Sequence, residues 1–73
     1  MFEEVREVLA KEIGIETQEI SLESNLIHDL GIESMDFYCI LESMEEKFSV
    51  KIPEDKRIVT VKDMVEVLEE LKN

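Results

Sequence analysis

Apolar residues recur near the start of the chain at Phe2, Val5, Val8, Leu9 and Ile13, with charged residues between them. Steps of three and four put them on one side of a helix, so residues 2–13 are predicted to form an amphipathic first helix. Gly14 follows the last periodic residue, where glycine readily takes the left-handed conformation that closes a helix. A second stripe, Phe37, Ile40, Leu41, Met44 and Phe48, falls on one face when each residue is rotated by about 100°. It predicts a helix beginning near Ser34. On the same wheel Met35, Cys39, Glu42 and Glu46 point away from the stripe, which leaves an apolar Met among carboxylates on the outer face. A third stripe, Val61, Met64, Val65, Leu68 and Leu71, follows Thr60, and Asp63 three residues after Thr60 resembles a capping box with Asp replacing Glu.

The connections are unequal. Residues 15–33 hold scattered Ile15, Ile20, Leu22, Leu26, Ile27 and Leu30, enough apolar anchors to predict an ordered loop. Pro53 suits a helix start, and Glu54-Asp55-Lys56-Arg57-Ile58 after it has room for about one turn. No strand-like alternation competes with this reading. The predicted fold is all-α: a four-helix bundle with three longer helices, one short third helix and a long first loop. A chain of 73 residues makes one domain, 1–73, because a chain near this size buries only roughly 60% of the surface its unfolded form exposes. Phe37, Ile40, Met44, Ile58, Met64 and Leu68 are read first as core, with the alternative that some of them line a ligand cavity.

Charge changes the picture. Lys plus Arg number 8 against 19 Asp plus Glu, a net charge of −11. From Glu12 to Glu46 there are 10 acidic residues and no Lys or Arg, whereas residues 47–73 balance at 6 of each sign. A solvated, solubilising surface is the plain explanation. The concentration around His28-Asp29-Leu30-Gly31-Ile32-Glu33-Ser34-Met35-Asp36 adds another: a lone hydroxyl in a negative field, placed to meet a basic partner. Nucleic acid is excluded as a partner because phosphate binding requires a basic stripe, and an anionic membrane is disfavoured for the same reason. The single cysteine rules out an internal disulfide and fits a reducing compartment, so a cytoplasmic location is expected. No membrane-length apolar run or basic-then-apolar leader is present.

Catalytic and metal chemistry find little support. Ser34, His28 and Asp36 are the residue types of a hydrolytic triad, but Gly31-Ile32-Glu33-Ser34-Met35-Asp36 lacks the Gly-x-Ser-x-Gly elbow, and neighbouring carboxylates would repel an oxyanion. One His and one Cys match no zinc spacing, and a calcium loop counted from Asp29 meets Ile40 where Glu is required, so no metal is expected. Cys39 has no neighbouring base to activate its thiol, and His28 is read as a loop side chain bonding locally. Ser34 itself has a structural reading as the N-cap of the second helix. Phe37 three residues on cannot complete a capping box, so capping alone leaves the surroundings of Ser34 unexplained.

Asp29-Leu30-Gly31-Ile32-Glu33-Ser34-Met35-Asp36 resembles the Asp-Ser-Leu motif and preceding loop of acyl carrier proteins. The likeness continues through Glu45-Glu46-Lys47-Phe48, Ile52-Pro53, and Thr60-Val61 with Asp63, and so covers nearly the whole chain. The resemblance implies that Ser34 carries 4′-phosphopantetheine, transferred from coenzyme A by a separate magnesium-dependent phosphopantetheinyl transferase. The arm's thiol would then hold an acyl or aminoacyl group as a thioester for fatty-acid or related biosynthesis. It further implies a monomer that is not an enzyme and that docks acyl-handling synthases, ligases or transferases through Glu33, Met35, Asp36, Glu42, Glu45 and Glu46. Glu33 replaces the usual Asp and Met35 the usual Leu, and Cys39 stands where many fatty-acid carriers have a carboxylate. Ser-Met is similar to some D-alanyl and other specialised carriers, and leaves a short acyl or aminoacyl cargo open. The alternative is an unmodified acidic helical adaptor for basic proteins.

Overall fold

A computed structural model describes residues 1–72. It contains three α-helices: α1 (Phe2–Ile13), α2 (Ser34–Phe48) and α3 (Val61–Lys72). The chain is all-helical, and no strand occurs among the described residues beyond one isolated antiparallel bridge between Asn25 and Thr60.

The helix boundaries have local causes. Gly14 is left-handed at φ 72°, and its N–H donates to the Ala10 carbonyl at 2.8 Å, closing α1 as the sequence predicts. Ser49 closes α2 in the same conformation at φ 55°, and Lys72 Nζ donates to the freed carbonyl of Phe48 at 3.2 Å. The predicted capping box opens α3. Asp63 N–H donates to Thr60 Oγ1 at 3.2 Å, while Asp63 Oδ2 accepts from the backbone N–H groups of Thr60 and Val59 at 3.0 and 2.9 Å.

The core lies where the three apolar stripes meet. Val5 and Leu9 of α1, Met44 of α2, and Val61, Met64 and Leu68 of α3 are completely enclosed, with Ile40 nearly so. The long connection contributes Ile20, Leu26 and Ile32 to the same cluster, so it is an ordered part of the fold. A short 3-10 turn at Thr17–Glu19, closed by reciprocal bonds between Glu16 and Glu19, gives the connection local structure that periodicity does not reveal.

The segment predicted as a short third helix is a turn at Glu54–Asp55, with Lys56 N–H 3.3 Å from the Pro53 carbonyl. Four consecutive charged residues offer no apolar face to repay the cost of nucleating a helix. Lys56 instead pairs with Glu70 of α3 at 3.1 Å.

Replacing Thr60 with Ala removes the acceptor for the Asp63 N–H. We expect a loss of about 1 kcal/mol, measured as a lower urea midpoint at unchanged slope.

Candidate functional site

The site is built from the loop that enters α2. Asn25 organises it: its Oδ1 accepts from the backbone N–H groups of Ile27 and His28 at 3.0 and 2.8 Å, and its carbonyl accepts from Asp29 and Leu30. Asp29 Oδ2 returns a bond by accepting from Asn25 N–H at 2.7 Å. Gly31 turns the chain at φ 70°, where nothing crowds the space that a Cβ would fill, so the backbone angle is what requires glycine. Ile32 is then buried, with its N–H on the Leu26 carbonyl at 3.1 Å. Asn25 was not singled out from the sequence, although Asn followed by a loop is the available signal for such a turn.

Ser34 follows as the first residue of α2, and it is exposed. It is not the N-cap that its residue type suggests. Glu33 holds that position, extended at φ −80° and ψ 161°, and its carbonyl already accepts the Phe37 N–H at 2.8 Å. No side-chain bond caps the helix, so the Ser34 hydroxyl stands at the helix opening without a capping duty. The leading amides of a helix lack backbone partners and present partial positive charge, which suits an anionic phosphoester. Glu33 and Asp36 oppose that charge locally and face solvent.

The remaining predicted residues separate into four groups. Glu33, Met35, Asp36, Glu42 and Glu46 are exposed on α2 or at its entry, Met35 at 82% of its surface. Glu45 is half-buried, and its Oε2 accepts the Ile52 N–H at 2.6 Å, so this carboxylate anchors the following segment. Of the six candidate acyl-pocket residues, Ile40, Met44, Met64 and Leu68 fill the core. Phe37 and Ile58 are half-buried and meet across a surface groove of about 600 Å³ between α2 and residues 51–58. Tyr38 and Leu41 also line that groove. Tyr38 belongs to no apolar stripe and was missed for that reason.

A smaller cavity of about 270 Å³ lies against α1 and contains Glu12, Asp36, Cys39 and Ile40. His28 is exposed, and its backbone N–H is the group that bonds locally, to Asn25. Among the described residues no hydrogen bond connects Ser34, His28 and Asp36 into a relay, and no helix is long and apolar enough to cross a membrane.

With this geometry in place, residues 3–68 match the family model described as a phosphopantetheine attachment site. The chain is 38% identical to an acyl carrier protein of Campylobacter concisus, across 97% of this chain and 95% of that protein. It is 34% identical to an acyl carrier protein of Campylobacter hominis, across 97% and 92%. An acyl carrier protein of Helicobacter acinonychis is 31% identical, across 99% and 95%.

The chain belongs to the acyl carrier protein family.

This carrier therefore bears a covalent 4′-phosphopantetheine group and acts with separate enzymes: a phosphopantetheinyl transferase that installs the group, and acyl-handling enzymes generally. It is not itself a catalyst, and the unmodified adaptor is not the favoured reading. The open hydroxyl and free helix amides at Ser34 fit such a group.

One titratable group here is displaced from its ordinary value. The Asp63 carboxyl is held below 3.8, chiefly by the N–H groups of Val59 and Thr60. Those two residues lie beside the loop that enters α2, with Leu26 N–H on the Val59 carbonyl at 2.9 Å. A depressed folded-state pKa adds stability that is fully present above the unfolded value and lost as pH falls through the folded one. Asp63→Asn is thus expected to lower the melting temperature at neutral pH and to shrink the loss of stability on acidification below about pH 4. Parallel melting curves of parent and variant from neutral to acid pH test this.

Proposed function

We propose that Ser34 is the attachment position for the arm, and that the exposed face of α2 is the surface through which partner enzymes read the carrier. The observation that carries the first half is the placement of Ser34: exposed, at the helix opening, with the N-cap role taken by Glu33. The step is a phosphoryl substitution on coenzyme A. Ser34 Oγ bonds to the β-phosphorus, its proton passes to a base on the transferase, and the pyrophosphate P–O bond breaks to release the adenosine bisphosphate. The thiol of the bound group then supplies the thioester on which cargo rides.

The docking face is Glu33, Met35, Asp36, Glu42 and Glu46, a ring of carboxylates around one exposed apolar side chain. Charges of one sign steer a basic partner at a distance, and a single apolar contact gives a brief, easily released complex. Glu45, also named in the sequence reading, contributes from a fixed position because of its bond to Ile52. The carrier is read as a single-domain cytoplasmic monomer serving fatty-acid or related biosynthesis. In the family's four-helix plan the turn at Glu54–Asp55, with the Lys56 N–H facing the Pro53 carbonyl, stands where the short third helix is expected. Packing of Ile40, Met44, Met64 and Leu68 favours a short acyl or aminoacyl cargo over a long chain in the interior.

Intact mass after incubation with coenzyme A, magnesium and a broad-specificity phosphopantetheinyl transferase tests the attachment. The parent should gain one phosphopantetheine and Ser34→Ala none; a gain by the variant would move the site elsewhere.

Charge reversal at Glu42 or Glu46 should weaken transferase binding several-fold at low salt, and the difference from the parent should fade as ionic strength rises. Reversal at Glu69 of α3 should have little effect. Titration calorimetry at two salt concentrations reads both, and equal losses at all three positions would undo the docking face.

A further inference from the structure

The chain has one cysteine, but the carrier has two thiols, because the phosphopantetheine group ends in one of its own. Cys39 is exposed and stands on the same helix as Ser34, five residues beyond it. That spacing is about 7.5 Å along the axis and about 140° around it. On a helix of roughly 5.5 Å radius, the path over the surface between the two positions is about 15 Å. From phosphorus to sulfur the arm runs through about 13 bonds, and an extended chain advances about 1.2 Å per bond, or about 16 Å in all. Cys39 is therefore inside the reach of an arm on Ser34, close to its limit.

The surroundings of Cys39 favour that meeting. It borders the cavity of about 270 Å³ beside α1, where Ile13, Leu30, Ile32 and Ile40 supply apolar lining. Gly31, in the same wall, belongs to the loop that leads to Ser34, so this one cavity adjoins both ends of the path. The arm's methyl and methylene groups gain cover there. Glu12, also in the wall, is already engaged by Ser43 Oγ at 2.6 Å. Two cysteines fixed five residues apart on one helix could not bring their sulfurs together. One sulfur on a flexible tether can adopt the distance and torsion that a disulfide demands.

We propose that Cys39 is a resolving cysteine for the arm: in the presence of a hydroperoxide its sulfur bonds to the arm sulfur and closes a ring that takes the unloaded carrier out of use. This rests on attachment at Ser34. One peroxide oxygen passes to the arm sulfur, the O–O bond breaks, and the other oxygen leaves as water with the arm's thiol proton. The Cys39 sulfur then displaces the hydroxyl of that S–OH group. The S–S bond forms, the S–O bond breaks, and a second water carries off the hydroxyl with the Cys39 proton. The two sulfurs together give up two electrons, which reduce the peroxide. Tethering sets an effective thiol concentration in the millimolar range, so closure outruns the joining of two carriers at micromolar protein. An acyl group occupies the arm sulfur, so only unloaded carriers close, and thiol–disulfide exchange with a small thiol reopens them.

The carrier with its arm in place, checked by intact mass, is treated with hydrogen peroxide at micromolar protein. The monomer should lose two hydrogens, take up no iodoacetamide afterwards, and recover both thiols with dithiothreitol. Proteolysis before Asp36 should leave the Ser34 and Cys39 peptides joined until reduction. Cys39→Ser should keep the parent's melting temperature and yield no closed monomer, its disulfides joining two carriers and forming at least about tenfold more slowly. A parent that gives the same dimers and oxygen adducts as Cys39→Ser, at the same rate, overturns the proposal. With the arm on Ser34, that result refutes closure alone. An arm that fails to load, or is found on another residue, refutes attachment at Ser34 and this proposal with it.

Discussion

Backbone hydrogen bonds between the long connection and the start of α3 are the joint on which the rest of the molecule depends. Leu26 N–H meets the Val59 carbonyl at 2.9 Å, Val61 N–H meets Ser24 at 3.0 Å, and Lys62 N–H meets Leu22 at 2.9 Å. A connection this long inside so small a domain would otherwise bury peptide groups without partners. The joint lets Leu26 and Ile32 enter the core beside Val61 and Met64, and so determines where the loop ends and α2 begins. Ser34 owes its position to bonds made by residues at the other end of the chain.

That dependence explains which features were legible in the amino-acid order. The three long helices were, because each carries an apolar stripe at helical spacing, and α1 and α3 also carry a recognisable stop at Gly14 and start at Thr60. Ser34 was singled out as the proposed attachment position through the motif around it and through the family likeness. Its relation to the helix was not, because Ser and Glu differ in capping preference while the choice between positions 33 and 34 is made by the loop's approach. Asn25 also stayed hidden: its bonds go to backbone groups a few residues away and leave no mark on periodicity. At 54–58 a proline followed by charged residues reads as a helix start, but nothing there is buried to sustain one.

The division of α2 into working surfaces follows from its two faces. The inner residues Ile40, Met44 and Phe48 are held by packing, and any change of their volume is felt throughout a small core. The outer residues carry charge together with exposed Met35 and Tyr38, and can vary at little expense to folding. Glu45 lies on the boundary, a carboxylate on the acidic helix whose charge is used to hold Ile52 in place. It joins α2 to the segment that walls the groove.

The uneven distribution of charge, with acids alone from Glu12 to Glu46 and balance thereafter, makes the molecule electrically lopsided. A lopsided charge in a non-uniform field feels a torque as well as a pull. As the carrier nears a basic surface, it should rotate before it touches, turning its acid-only stretch toward that surface and shortening the search through unproductive orientations. A carrier that must visit several enzymes in turn gains speed from that rotation without gaining adhesion, and so leaves as readily as it arrives.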